Sequence, residues 1–221
     1  MVVTIDGPAG SGKSTTAQAV AERLGLPHVE SGALYRALTL AALDQGTDFR
    51  GQRLVALARS LPVRLDLTED GFRPEVAGAD VSQAIRSDRV TARVSELSAI
   101  PEVRDWANAE VRRAVAQHSR GAVLDGRDMG SVVFPDADLK IYLVASARER
   151  ARRRLLQDGH PVTDDALGEQ TELLVARDRA DASREVAPLK PAQDAVVLDT
   201  TEMSFEEQVE AIVVLARNTF S

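Results

Sequence analysis

Gly7 and Gly12 are separated by four residues, and Lys13 and Ser14 follow at once, so the run IDGPAGSGKST (Ile5 to Thr15) matches G-x-x-x-x-G-K-[ST] without a gap. Residues of these types at this spacing can grip an anion. Glycines let successive backbone N–H groups turn inward, and a helix starting there adds its positive end. Lys13 can then reach the outer phosphates and Ser14 can ligate Mg²⁺. The lysine is an exception in this chain, where 24 of the 27 basic residues are arginine. A compact ammonium fits between two phosphates where a planar guanidinium does not.

The loop alone does not choose between a switch GTPase, a motor ATPase and a kinase. An Asn-Lys-x-Asp guanine motif is absent, and AVLD (Ala122 to Asp125) is followed by Gly126 rather than by an acidic residue able to hold a water. Both absences favour transfer to a bound acceptor over hydrolysis. Polar clusters support this: ESGALYR (Glu30 to Arg36), DGRDMG (Asp125 to Gly130) and ARDRADASREVAPLK (Ala176 to Lys190). Transfer from one phosphate to another gathers negative charge, which planar bidentate donors offset while aligning the oxygens. A nucleoside monophosphate has a second pKa near 6, so it needs no strong general base. Arg127, flanked by two aspartates and two glycines after a strand, reads as functional. For Arg148, Arg150, Arg152, Arg153 and Arg154, a mobile lid over the donor phosphates and a charged helix face both fit.

The elements that must position these residues follow from periodicity. Val2 to Ile5 reads as a buried strand. After Lys13, the residues Ala17, Val20, Ala21 and Leu24 form a helical stripe ended by Gly25 and Pro27. A second helix runs through Leu34, Ala37, Leu38, Ala41 and Ala42 and closes before Gly46. Between Val63 and Val81 the period changes to alternation, with a turn at Glu69 to Gly71, which predicts a small β insert whose Pro74 belongs at an edge. Pro101 opens a helix with Val103, Ala107, Val111, Ala114 and Val115 on one stripe. Ala122 to Gly126, Leu139 to Val144 and Ala195 to Asp199 read as further strands, and Ser146 with Glu149 and Ser204 with Glu207 as capping boxes. Short apolar strands alternating with helices predict a parallel α/β sheet covered on both faces, with ligands at the strands' carboxyl ends.

Bulk composition sets outer limits. A chain of 221 residues, 44% hydrophobic, supports a substantial core. The net charge of −7 argues against a general nucleic-acid or anionic-membrane binder. With no cysteine and with His28, His118 and His160 scattered, neither a disulfide framework nor a thiolate or histidine metal cluster is expected. No apolar run reaches membrane-span length and the start lacks a basic signal region, so a cytoplasmic protein that engages neither membrane nor nucleic acid is expected.

IDGPAGSGKST, SGALYR, GADVSQAIRSDRVTARVSELSAIPEVR, VLDGRDMGSVVFPDADLKIYL and SREVAPLKPAQDAVVLDT, in that order, resemble the bacterial cytidylate kinases, P-loop nucleoside monophosphate kinases that phosphorylate CMP and dCMP. The resemblance spans nearly the whole chain. It implies an α/β fold: a P-loop core with a five-stranded parallel sheet (about 1–35, 118–148 and 172–221), an acceptor-binding helical region with a small β insert (about 36–117) and a mobile lid (about 149–171). It puts the ATP phosphates on Gly7, Pro8, Ala9, Gly10, Ser11, Gly12, Lys13, Ser14 and Thr15, with Mg²⁺ on Ser14. The CMP phosphate would meet Arg36, Arg127 and Arg184; the cytosine edge would be read by Ser95, Arg104 and Asp128, with Ser31 close by; Arg177 and Asp181 would address the sugar. An arginine can donate to the cytosine carbonyl and ring nitrogen while an aspartate accepts from the exocyclic amine, which makes Arg104 and Asp128 a pair suited to cytosine over uracil. Lys13, Arg127, Arg153, Arg154 and Arg184 would be the catalytic cations, the lid arginines closing over the γ-phosphate. A monomer is expected. Two departures stand out: Glu30 where many members have Asp, and a weak match over Asp158 to Gln170. A kinase for UMP, AMP or shikimate, and a nucleotide-gated binding module without transfer activity, are the competing readings.

Overall fold

The structure, a computed structural model, describes residues 1–68, 71–183 and 188–219. The chain begins β1 (Val2–Asp6), α1 (Lys13–Leu24), β2 (His28–Glu30), α2 (Gly32–Asp44) and α3 (Gly51–Ser60). It continues through β3 (Val63–Thr68), β4 (Gly71–Val76), β5 (Ala79–Asp80), α4 (Asp88–Leu97) and α5 (Pro101–Ala116). It ends with β6 (Ala122–Gly126), β7 (Leu139–Val144), α6 (Ala147–Gln157), α7 (Asp164–Ala182), β8 (Val196–Asp199) and α8 (Phe205–Thr219). The α/β expectation holds: a five-stranded parallel sheet runs in the order β2-β6-β1-β7-β8. β1 and β7 pair from Val3 with Leu139 to Asp6 with Tyr142, and β7 and β8 from Ile141 with Val196 to Val144 with Asp199. Among the described residues no helix is long and apolar enough to cross a membrane.

Two compact units make up the chain, Met1–Leu26 with Val123–Ser221, and Pro27–Ala122. In the first, the β-branched strands meet the apolar stripes of two helices. Val3, Ile5, Val123, Ile141 and Leu143 pack with Ala17 and Val20 of α1 and with Val209, Ile212 and Val213 of α8 in one buried cluster. Each large aliphatic side chain buried there contributes on the order of 1.5–3 kcal/mol. A smaller cluster joins Ala9 of the glycine loop to Ala151 and Leu155 of α6 and to Leu167 and Leu174 of α7. The loop crest is thereby packed against the α6 and α7 pair.

The two expected capping boxes differ. At α8 both arms form: the Ser204 N–H donates to the Glu207 carboxylate at 2.8 Å and the Glu207 N–H to Ser204 Oγ at 3.3 Å. At α6 the Glu149 N–H donates to Ser146 Oγ, but the Ser146 N–H goes to Thr201 Oγ1. The Glu149 carboxylate is taken by Arg152 and Arg153, whose charged donors outcompete a backbone amide.

In the second unit, α2 is buried along almost its whole length, from Ala33 to Ala42, in keeping with its near-continuous apolar run. The small insert is the three-stranded sheet β3-β4-β5. Its expected turn at Glu69 and Asp70 lies outside the described residues. Pro74 corrects an expectation, because it sits in the central strand and pairs with Leu65 of β3. The Pro74 carbonyl accepts the Val81 N–H, on the β5 side. In an antiparallel ladder one residue's N–H and C=O face the same neighbour, so the missing N–H of Pro74 removes no bond to β3.

Candidate nucleotide site

The loop between β1 and α1 is shaped by close approach and by backbone conformation. A Cβ on Gly7 would run into the Leu143 carbonyl of β7. Gly12 caps α1 at φ 85°, a left-handed conformation that favours glycine. Thr16 donates its hydroxyl to the Gly12 carbonyl at 2.9 Å, and Gln208 of α8 donates to Thr16 Oγ1 at 2.7 Å, so α8 braces the first turn of α1. Lys13 Nζ donates across the loop to the Pro8 carbonyl at 3.3 Å. Ser14 Oγ donates to Asp125 Oδ2 at the end of β6, at 2.6 Å. A hydroxyl and a carboxylate this close are hard oxygen donors, which fit Mg²⁺, a cation that otherwise keeps waters and substrate phosphates as ligands.

Ala9, at the crest, is held at both of its backbone polar groups. Its N–H donates to Asp178 Oδ1 at 3.2 Å and its carbonyl accepts from Arg150 Nη1 at 2.8 Å. Arg150 and Asp178 pair at 2.6 Å, with the arginine side chain only 7% exposed. Arg153 bonds Glu149 at 2.8 Å and Thr200 Oγ1 at 3.0 Å, and its guanidinium reaches the Ser11 carbonyl at 3.5 Å. The five arginines of α6 thus separate by position. Arg150 and Arg153 meet the loop, while Arg148 with Asp164, Arg152 with Glu149 and Arg154 with Asp158 form exposed ion pairs, a kind worth little.

At the end of β6, Arg127 donates Nε to Asp181 Oδ2 and Nη1 to the Gly7 carbonyl, both at 2.9 Å. Asp181 and Asp128 are each 2% exposed. Asp181 and Asp178 lie three residues apart on α7, so one helix serves Arg127 and the loop crest together. Asp6, the last residue of β1, accepts the Met129 N–H at 2.9 Å and the Gly130 N–H at 2.8 Å. Burial pushes its carboxyl up from 3.8 to about 6, the two N–H bonds and Lys13 opposing the rise and Asp128 adding to it. Burial, then the Asp6 charge, also raises the Tyr142 hydroxyl. Arg177 is half-buried on α7, and Arg184 lies outside the described residues.

Within the second unit, Arg36 of α2 donates to the Ile85 carbonyl at 3.2 Å and to Thr91 Oγ1 at 3.0 Å. Arg104 of α5 is 2% exposed, donates to the Ser98 carbonyl at 3.0 Å and lies 5.7 Å from the Tyr35 ring centroid. Ser98 Oγ in turn donates to the Ser95 carbonyl at 3.1 Å, so Arg104 and Ser95 each bond Ser98, just past the end of α4. Ser31 is buried at the start of α2, and Glu30 pairs with Arg86 at 2.9 Å.

Sequence reasoning missed three contacts: Asp6 with the Met129 and Gly130 amides, Asp178 with the loop crest and, within the second unit, Tyr35 with Arg104. Only Asp178 left a signal, its helical spacing from Asp181. Asp6 and Tyr35 sit inside quoted motifs but bear no local mark of what they touch.

A family model described as cytidylate kinase matches residues 3–218. The cytidylate kinase of Pseudomonas syringae pv. tomato (strain ATCC BAA-871 / DC3000) is 46% identical over 215 residues, covering 96% of this chain and 93% of that protein. That of Pseudomonas paraeruginosa (strain DSM 24068 / PA7) is 48% identical over 218 residues with the same coverage. A crystal structure of an uncharacterized protein from Eubacterium ventriosum ATCC 27560 superposes with TM-score 0.52 at 10% identity, covering 97% of each chain, a likeness of fold alone.

Proposed function

The chain belongs to the cytidylate kinase family, and on that premise we propose that it transfers the terminal phosphoryl group of ATP to CMP and dCMP. The observation that carries this reading is the family match across residues 3–218, which takes in both the phosphate loop and the acceptor motifs. An oxygen of the CMP phosphate bonds the γ-phosphorus as the bond to the bridging oxygen breaks, leaving ADP and CDP. Lys13 and the loop N–H groups hold the donor phosphates, and Arg127 is the cation for the incoming phosphate. Arg36 and Arg184 are its partners on that phosphate, Ser95, Arg104 and Asp128 read the base beside Ser31, and Arg177 and Asp181 take the sugar. Arg153 serves the donor, and Arg154 joins it when the lid over about 149–171 closes. Ser14 and Asp125 would hold Mg²⁺, which would supply charge neutralisation at the phosphates. The enzyme is proposed to act as a cytoplasmic monomer.

In support, the guanidinium of Arg127 already bridges Gly7 and Asp181 beside the loop, and Arg104 is a buried guanidinium of the type that reads a cytosine carbonyl. The test is ADP formation with a panel of monophosphates. Turnover with CMP and dCMP, weak turnover with UMP and none with AMP or GMP are expected. Lys13→Ala should lower kcat by roughly 10²–10³. Absence of turnover with every pyrimidine monophosphate would refute the proposal.

A further inference from the structure

Asp6 has no part in the reading above, although it is 5% exposed and stands directly before the phosphate loop. Its two oxygens divide between two successive amides, Met129 at 2.9 Å and Gly130 at 2.8 Å. Those amides open the π-helical turn Met129–Val133 that follows Asp128, a wide turn of a kind found often at functional sites. The Asp128 carbonyl accepts the Val132 and Val133 N–H groups of that turn at 2.9 and 3.2 Å. On the other side of Asp128, Arg127 is tied to the Gly7 carbonyl. The turn is also pressed against β1, since a Cβ on Gly130 would lie 2.7 Å from Thr4 Oγ1 and 3.2 Å from Lys140 Cγ. Asp128 is thus held between hydrogen-bonding anchors supplied by Asp6 and Gly7, with Thr4 limiting the space at Gly130.

From this arrangement we propose that Asp6 is a positioning residue for base selection: by holding the Met129 and Gly130 amides it sets where Asp128 stands relative to the phosphate loop. The proposal rests on the assignment of Asp128 to the cytosine amine. A carboxylate is required because both partners are donors. Asn offers one acceptor and turns an NH₂ toward the other amide, losing one bond and adding a donor facing a donor. Displacement of Asp128 removes an interaction with the acceptor base and leaves the donor phosphates as they were.

Asp6→Asn is expected to raise the KM for CMP about tenfold, to reduce the preference for CMP over UMP in kcat/KM by a similar factor, and to leave the KM for ATP within about twofold. Gly130→Ala reaches the same displacement with the carboxylate intact and should show the same split. An unchanged KM for CMP in folded Asp6→Asn, or equal rises for CMP and ATP, would overturn the inference. Amide exchange on the ligand-free protein supplies an independent readout. Met129 and Gly130 should exchange at least about tenfold faster in Asp6→Asn, and unchanged protection would also overturn it. Wild-type enzyme that fails to turn over CMP would instead refute the proposed function, while the exchange rates would still decide whether Asp6 holds the turn.

Discussion

Asp6 shows how one residue can carry opposed demands. Its position needs a carboxylate to satisfy two amides, yet burial disfavours the charge and raises the pKa to about 6. A folded pKa above the unfolded value of 3.8 means the native state holds this proton more tightly. The resulting stabilisation is full below about pH 4 and is lost as pH rises through about 6, a change of roughly 3 kcal/mol. The unfolding free energy of the wild type minus that of Asp6→Asn should therefore decline by this order between pH 4 and pH 7. Denaturant titrations at several pH values would measure it, and a flat or rising difference would contradict the burial argument.

Among elements, α6 and α7 bear most directly on the loop. Arg150 and Asp178 hold the two polar groups of Ala9 and each other, so Arg150→Ala leaves a carbonyl and a carboxylate without their cation. Because Asp178 keeps 21% of its side chain exposed, the cost is expected near the lower end for a broken buried pair, about 3 kcal/mol. For a chain of this size that is a fall in Tm of roughly 6–12 °C, with a raised KM for ATP as the crest loosens. Arg152→Ala, which removes only an exposed pair with Glu149, should melt with the wild type. Calorimetry on the two variants compares them directly. On a helical wheel both arginines belong to one basic helix. Only their neighbours in the fold distinguish a loop clamp from a solvated charge.

For the molecule as a whole, binding is linked to stability. A ligand at a hundred times its Kd stabilises the native state by about 2.7 kcal/mol, or roughly 5–11 °C in Tm for a chain of this size. ATP and CMP should each raise Tm in wild type. Lys13→Ala should abolish most of the shift with ATP and keep that with CMP, whereas Arg104→Ala should do the reverse. Equal loss of both shifts in either variant would refute the division into donor and acceptor residues.

What could be read in the chain by itself was local. Glycine spacing, the β-branched run before it and the helical stripe after it determined the phosphate loop, and alternating short strands and helices determined the parallel sheet. The signal for each single element fits within about twenty residues, where backbone sterics and periodicity act. The tertiary structure decided the rest. Asp178 reaches Ala9 from 169 residues away and Asp6 reaches Gly130 from 124, and the Ser146 N–H of the α6 cap goes to Thr201 Oγ1, 55 residues on. Pro74 could occupy a central strand because its carbonyl, and with it the missing N–H, faces the short β5. Such pairings depend on which groups meet when the sheet and helices pack, and nothing in the local pattern of an isolated aspartate or arginine encodes its partner.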